Sequence, residues 1–84
     1  MEVWVISTGE RYSKGDVWII ADCEGRMRGE VRACMASYNS SIGIEGWEEA
    51  EPSSQAFHHD YRKPVARYER SDHWIEVVKH FILD

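Results

Sequence analysis

The stretch "DHWIEVVKHFILD", Asp72 to Asp84, has two readings, and the choice between them settles the fold. Read as a helix, it places Trp74, Val77, Val78, Phe81 and Ile82 at i, i+3, i+4, i+7 and i+8. Read as a strand, it sets Ile75, Val77, Phe81 and Leu83 on one side and Trp74, Val78 and Ile82 on the other. Four β-branched residues among the nine from Trp74 through Ile82 favour the strand. The preceding "VARYER", Val65 to Arg70, can pair with it across a turn near Ser71 and Asp72. The segment is therefore expected to be the closing strand of an antiparallel sheet.

The N-terminal half supplies partners for that strand. "EVWVIS" (Glu2 to Ser7) and "DVWIIAD" (Asp16 to Asp22) are both rich in β-branched and aromatic residues. "TGERYSKG", Thr8 to Gly15, joins them with a glycine near each end, which fits a β-hairpin. The period then changes. Met27, Val31, Cys34, Met35 and Tyr38 fall at i, i+4, i+7, i+8 and i+11, on one face of an α-helix spanning about Glu24 to Tyr38. Arg26, Arg28, Glu30 and Arg32 take its flanks. Asp22 is expected as the N-cap, with Asn39 and Ser40 ending the helix. Gly25 and Gly29 weaken its start by about 1 kcal/mol each relative to Ala. From Asn39 to Pro64 the chain carries Ser, Gly and Pro at loop density, with one short strand expected around Ile42 to Trp47. The predicted fold is α+β, a small antiparallel β-sheet with one α-helix packed on one face, in a single domain over residues 1–84.

Composition narrows the function. Fifteen acidic against ten basic residues give a net charge of −5, which disfavours nucleic-acid binding, since that draws on excess Lys and Arg. The longest apolar run is "VWIIA", Val17 to Ala21, far short of the roughly 20 residues of a membrane helix. No signal peptide is visible at the N-terminus. Cys23 and Cys34 lack a paired spacing and are expected as reduced thiols, so a cytoplasmic location and no membrane partner are expected.

"SQAFHHDYRKP", Ser54 to Pro64, sets His58, His59 and Asp60 side by side. Zinc needs three or four ligands converging from suitable spacings, and adjacent histidines of a strand point to opposite sides. No metal and no cofactor are expected there. A small-ligand or metal-binding protein using the His58–His59–Asp60 loop is the alternative reading. Neither GxSxG, HExxH nor a Walker-type glycine loop occurs, and a chain this small offers little wall for a cleft. An enzyme is not expected.

One feature points to binding. In the first strand Trp4 and Ile6 share one parity and Val3 and Val5 the other; in the second, Trp18 and Ile20 alternate with Val17 and Ile19. A sheet with one wet face should alternate apolar with polar, yet both parities are apolar. Trp74, Val78 and Ile82 continue the theme in the last strand. Trp4, Ile6, Trp18, Ile20, Trp74 and Val78 are therefore candidate protein-binding residues on one face. The cover is either the long loop or a partner, and that partner is another protein or a second copy in a homodimer.

"VWVISTGERYSKGDVWIIADC", the helix after it and the ending "WIEVVKHFILD" resemble small uncharacterised proteins of phages and their bacterial hosts. Gly9, Glu10, Tyr12, Ser13 and Gly15 match a G-E-x-Y-S-x-G turn, and Leu83 and Asp84 match a Leu-Asp ending. Gly25 and Gly29 depart from that pattern, which favours helix formers there. The resemblance transfers no functional residue. It implies at most a phage-encoded accessory protein; taken with the apolar faces, the expected function is a non-enzymatic protein-binding module that binds and inhibits a host protein in the host cytoplasm.

Overall fold

The computed structural model describes residues 1–10, 15–38, 45–51 and 64–82. The described chain runs β1 (Glu2–Glu10), β2 (Asp16–Ala21), α1 (Glu24–Tyr38), β3 (Glu48–Ala50), β4 (Ala66–Arg70) and β5 (His73–Phe81). The strands form one five-stranded sheet in the order β2-β1-β5-β4-β3, with every neighbouring pair antiparallel. This is the small α+β architecture that the sequence predicts. No helix among the described residues is long and apolar enough to cross a membrane.

The ambiguous segment is a strand, β5. It lies between β1 and β4, pairing with β1 from Glu2↔Phe81 to Glu10↔His73 and with β4 from Ala66↔Val77 to Arg70↔His73. A strand bonded on both sides favours β-branched residues, and Ile75, Val77 and Val78 are all buried there. At its far end β5 is tied to the chain start, since the Ile82 amide donates to the Met1 carbonyl at 2.7 Å.

α1 has the expected bounds and buries the expected stripe of Met27, Val31, Cys34 and Met35. They pack on Ile6 and Ala21 from the hairpin and on Ile75 and Val77 from β5, with Trp4, Ile19 and Tyr68 at the margin. The N-cap differs from expectation. Cys23 takes the position: its carbonyl accepts the Met27 amide at 3.0 Å and its Sγ accepts the Arg26 amide at 3.4 Å. Asp22 instead lies 3.7 Å from the Arg26 guanidinium. The cap must sit one residue before the first helical turn, and the helix begins at Glu24.

A Cβ built on Gly25 or Gly29 meets nothing within 4 Å. Alanine at both positions is therefore expected to stabilise the protein by about 1–2 kcal/mol in total, read as a higher urea midpoint at unchanged m-value. An unchanged or lower midpoint would show that one of these glycines has a role besides helix geometry.

The short strand also moves. Expected around Ile42 to Trp47, the described strand lies wholly beyond that range, at Glu48–Ala50. Glu45 and Gly46 form a turn, with Gly46 at φ +89°, and such a turn cannot continue a ladder. Trp47 packs beside Tyr38 instead, ring centroids 5.6 Å apart. Residues 42–44 lie outside the described chain.

A hydroxyl relay joins helix to sheet. Thr8 Oγ1 donates to the Trp74 carbonyl at 2.9 Å and lies 2.6 Å from the Tyr38 hydroxyl. Thr8 has a single hydroxyl proton, so Tyr38 is the donor to Thr8. Cys34 is buried beside the same threonine; burial pushes its thiol up, and the Thr8 hydrogen bond opposes that in part.

Candidate protein-interaction edge

The six candidate binding residues do not share a face. Register decides this: Val5, not Trp4 or Ile6, stands opposite both Ile20 and Val78. Trp4 and Ile6 therefore point toward α1, where Ile6 is fully buried in the core and Trp4 is half-buried beneath the Lys79 ammonium, 5.6 Å from its ring. Trp18, Ile20, Trp74 and Val78 belong to the opposite side. The alternation holds within β1 and β5, but in β2 a register step between Ile19 and Val17 puts Val17 on the same side as Ile20; the phase between strands is likewise not carried by the sequence.

On that opposite side the four residues separate again. Val78 is 4% exposed and Trp74 5% exposed. The Trp74 indole donates to the Glu10 carbonyl at 2.9 Å, and the Arg67 guanidinium stands 5.5 Å from its centroid. Arg67 also pairs with the buried Glu76 carboxylate. Trp74 and Val78 are thus buried structural residues. Trp18 and Ile20 are different: they are 41% and 53% exposed, with Val17 beside them at 57%.

These three residues lie on β2, an outer strand of the sheet. The register steps from Ile6↔Ile19 to Ser7↔Val17, so Trp18 is the extra residue of a β-bulge, outside one-to-one pairing. The two sheet edges contrast. β3 is three residues long and opens with two glutamates, the short charged design that discourages strand addition. β2 is six residues long, with four apolar residues running from Val17 to Ile20. Charge at this edge is confined to the ends, at Asp16 and at Asp22 just beyond the strand, and both are exposed. An extended segment adding to β2 would find backbone donors and acceptors, an apolar side-chain row and carboxylates at each end.

His58, His59 and Asp60 lie outside the described residues, as do Tyr12, Ser13, Leu83 and Asp84. Among the described residues, no three His, Cys, Asp or Glu side chains converge as metal ligands would. No family model, curated protein or solved structure matches the chain.

Proposed function

We propose that this protein is a non-enzymatic binding module that takes an extended segment of a partner protein along β2, with Trp18 and Ile20 as side-chain anchors. The observation that carries the reading is the contrast between the edges: β3 is short and acidic, whereas β2 is apolar and exposed. Aromatic anchors of this kind dominate binding energy where they become fully desolvated. The partner's complementary feature is an apolar strand flanked by Lys or Arg, to meet Asp16 and Asp22.

A second copy fits less well than a different protein. Antiparallel pairing of two β2 strands about Ile19 sets Asp16 of one against Asp22 of the other at both ends, and like charges directly opposite destabilise a strand pair. The phage-like sequence pattern supports a host protein as the partner, inhibited by the binding.

The test is a double variant, Trp18→Ser with Ile20→Glu. Both side chains are substantially exposed, so stability is expected to change by less than about 1 kcal/mol. Capture of the partner from host lysate is expected to fall at least ten-fold. In the parent complex, hydrogen exchange should show new protection of β2 amides. A variant that still binds at parental affinity, or a complex that leaves β2 amides unprotected, would remove the edge as the binding site.

A further inference from the structure

The outer edge of β2 is not uniform along its length. Trp18 is the extra residue of the bulge, between the pairs Ile6↔Ile19 and Ser7↔Val17. A bulge interrupts the ladder and bends the strand, so regular pairing along an outer edge stops at it. On one side of the bulge remain Ile19, Ile20 and Ala21, after which the chain leaves the sheet and enters α1 at Glu24. Three residues at about 3.3 Å each give a pairing arm of about 10 Å. On the other side remain only Asp16 and Val17.

The charges are uneven as well. Asp22, just past the arm, lies 3.7 Å from the Arg26 guanidinium, so its charge is met within the chain. Asp16, at the bulge end, is exposed and has no ion pair among the described residues. It stands two positions before Trp18, whose side chain is 41% exposed. Arg67 lies over Trp74 and Lys79 over Trp4, but no cation of the described residues stands over Trp18. An exposed indole with a carboxylate near it suits a cation, which gains from the ring face and the charge together.

We propose that the occupant of this edge is a short extended segment of a partner protein with a cation at one end only. Three apolar residues pair with Ile19, Ile20 and Ala21, and the residue that follows at the bulge end is Lys or Arg, laid over Trp18 toward Asp16. The inference rests on the reading of β2 as the binding edge, and gives its guest a length and a direction of charge. Trp18 then acts through its ring alone and determines specificity, as desolvated aromatic anchors do. A second copy of β2 does not fit, because it offers Asp16 and Asp22 at its ends and no Lys or Arg.

The experiment is a display selection of linear eight-residue peptides against the whole protein, followed by affinity measurement and amide hydrogen exchange with the best peptide. Enriched peptides are expected to carry an apolar triplet with Lys or Arg at one end. With the peptide bound, protection should appear within Ile19–Ala21 and not at Asp16, Val17 or Trp18. Asp16, Trp18 and Asp22 are all exposed, so variants there retain the fold. Affinity should fall at least ten-fold on Trp18→Leu. It should fall about three- to ten-fold on Asp16→Lys and less than about two-fold on Asp22→Lys, as rim charges of unequal engagement do. Exchanging the peptide's cation for Glu should restore binding to Asp16→Lys. Protection running from Asp16 to Ala21, peptides without a cation, or equal sensitivity at Asp16 and Asp22 would overturn the inference and leave β2 as the edge. A selection that enriches nothing, or bound peptides that leave every β2 amide unprotected, would overturn it together with the edge.

Discussion

Val31→Asp is expected to destabilise the protein by at least about 3–5 kcal/mol, the typical cost of a buried charge without a partner. Val31 is 4% exposed at the centre of the helix stripe, packed in the cluster with Ile6, Ile75 and Val77. The substitution removes the apolar contact and supplies a carboxylate with no cation inside that cluster. A domain of this size has a total stability on the order of 5–10 kcal/mol, so the substitution removes a large fraction of it. Ala33→Asp is the control. Ala33 is exposed on the same helix, so it pays only a propensity difference of about 0.5–0.7 kcal/mol. Urea denaturation followed by far-ultraviolet circular dichroism reads both. A Val31→Asp midpoint equal to that of the control would show that the helix buries a different face.

Gly15→Ala is the second large effect, expected at roughly 3 kcal/mol from backbone strain and overpacking together. Gly15 has φ +70°, a region that costs a residue with a Cβ about 1–2 kcal/mol. The added methyl also has nowhere to go. It would stand 2.6 Å from the Thr8 carbonyl oxygen and 2.5 Å from the Trp74 ring. The first is backbone within a ladder. The second is a buried ring held by its hydrogen bond to Glu10. Gly46→Ala provides the contrast: its φ is +89°, but its Cβ meets the flexible Arg70 side chain at 3.3 Å. That variant should show the conformational cost alone. Denaturation with tryptophan emission as the probe distinguishes the two, because only Gly15→Ala displaces Trp74. Equal losses at both positions would mean that the Trp74 contact carries no energy.

Much of this architecture is legible in the residues themselves. The helix stripe from Met27 to Tyr38 is a local pattern repeated over three turns, so periodicity alone fixes its limits. Strand character in β1, β2 and β5 follows from β-branched density. The phase between strands is different in kind. Because Trp4 and Val5, or Ile19 and Ile20, are apolar on both parities, no polar residue marks which side is wet. The bulge at Trp18 then shifts parity within β2 itself. Trp74 carries no sign in the sequence that its ring packs against Gly15, since that contact needs the chain to fold back across fifty-eight intervening positions. What the sequence withholds is that α1 lies over β2, β1 and β5 and not over β4 or β3, which depends on strand order.

The ladder between β1 and β5 has a consequence for how the chain comes to be folded. It joins the earliest strand to the latest, at the middle of the sheet. While a ribosome is still producing residues up to Arg70, β1 has only β2 beside it, and a lone two-stranded hairpin is marginal in water. β4 and β3 form a separate small pair, and α1 lacks half the surface on which it packs. Only when β5 emerges and slots between β1 and β4 do these pieces become one sheet. Early compaction therefore gains little, and the nascent chain keeps its apolar strands unshielded until β5 has emerged. Loop closure of this length places refolding on the slow side for a small domain, on the order of milliseconds to seconds. The order of the strands thus makes β5 the segment that commits the whole sheet.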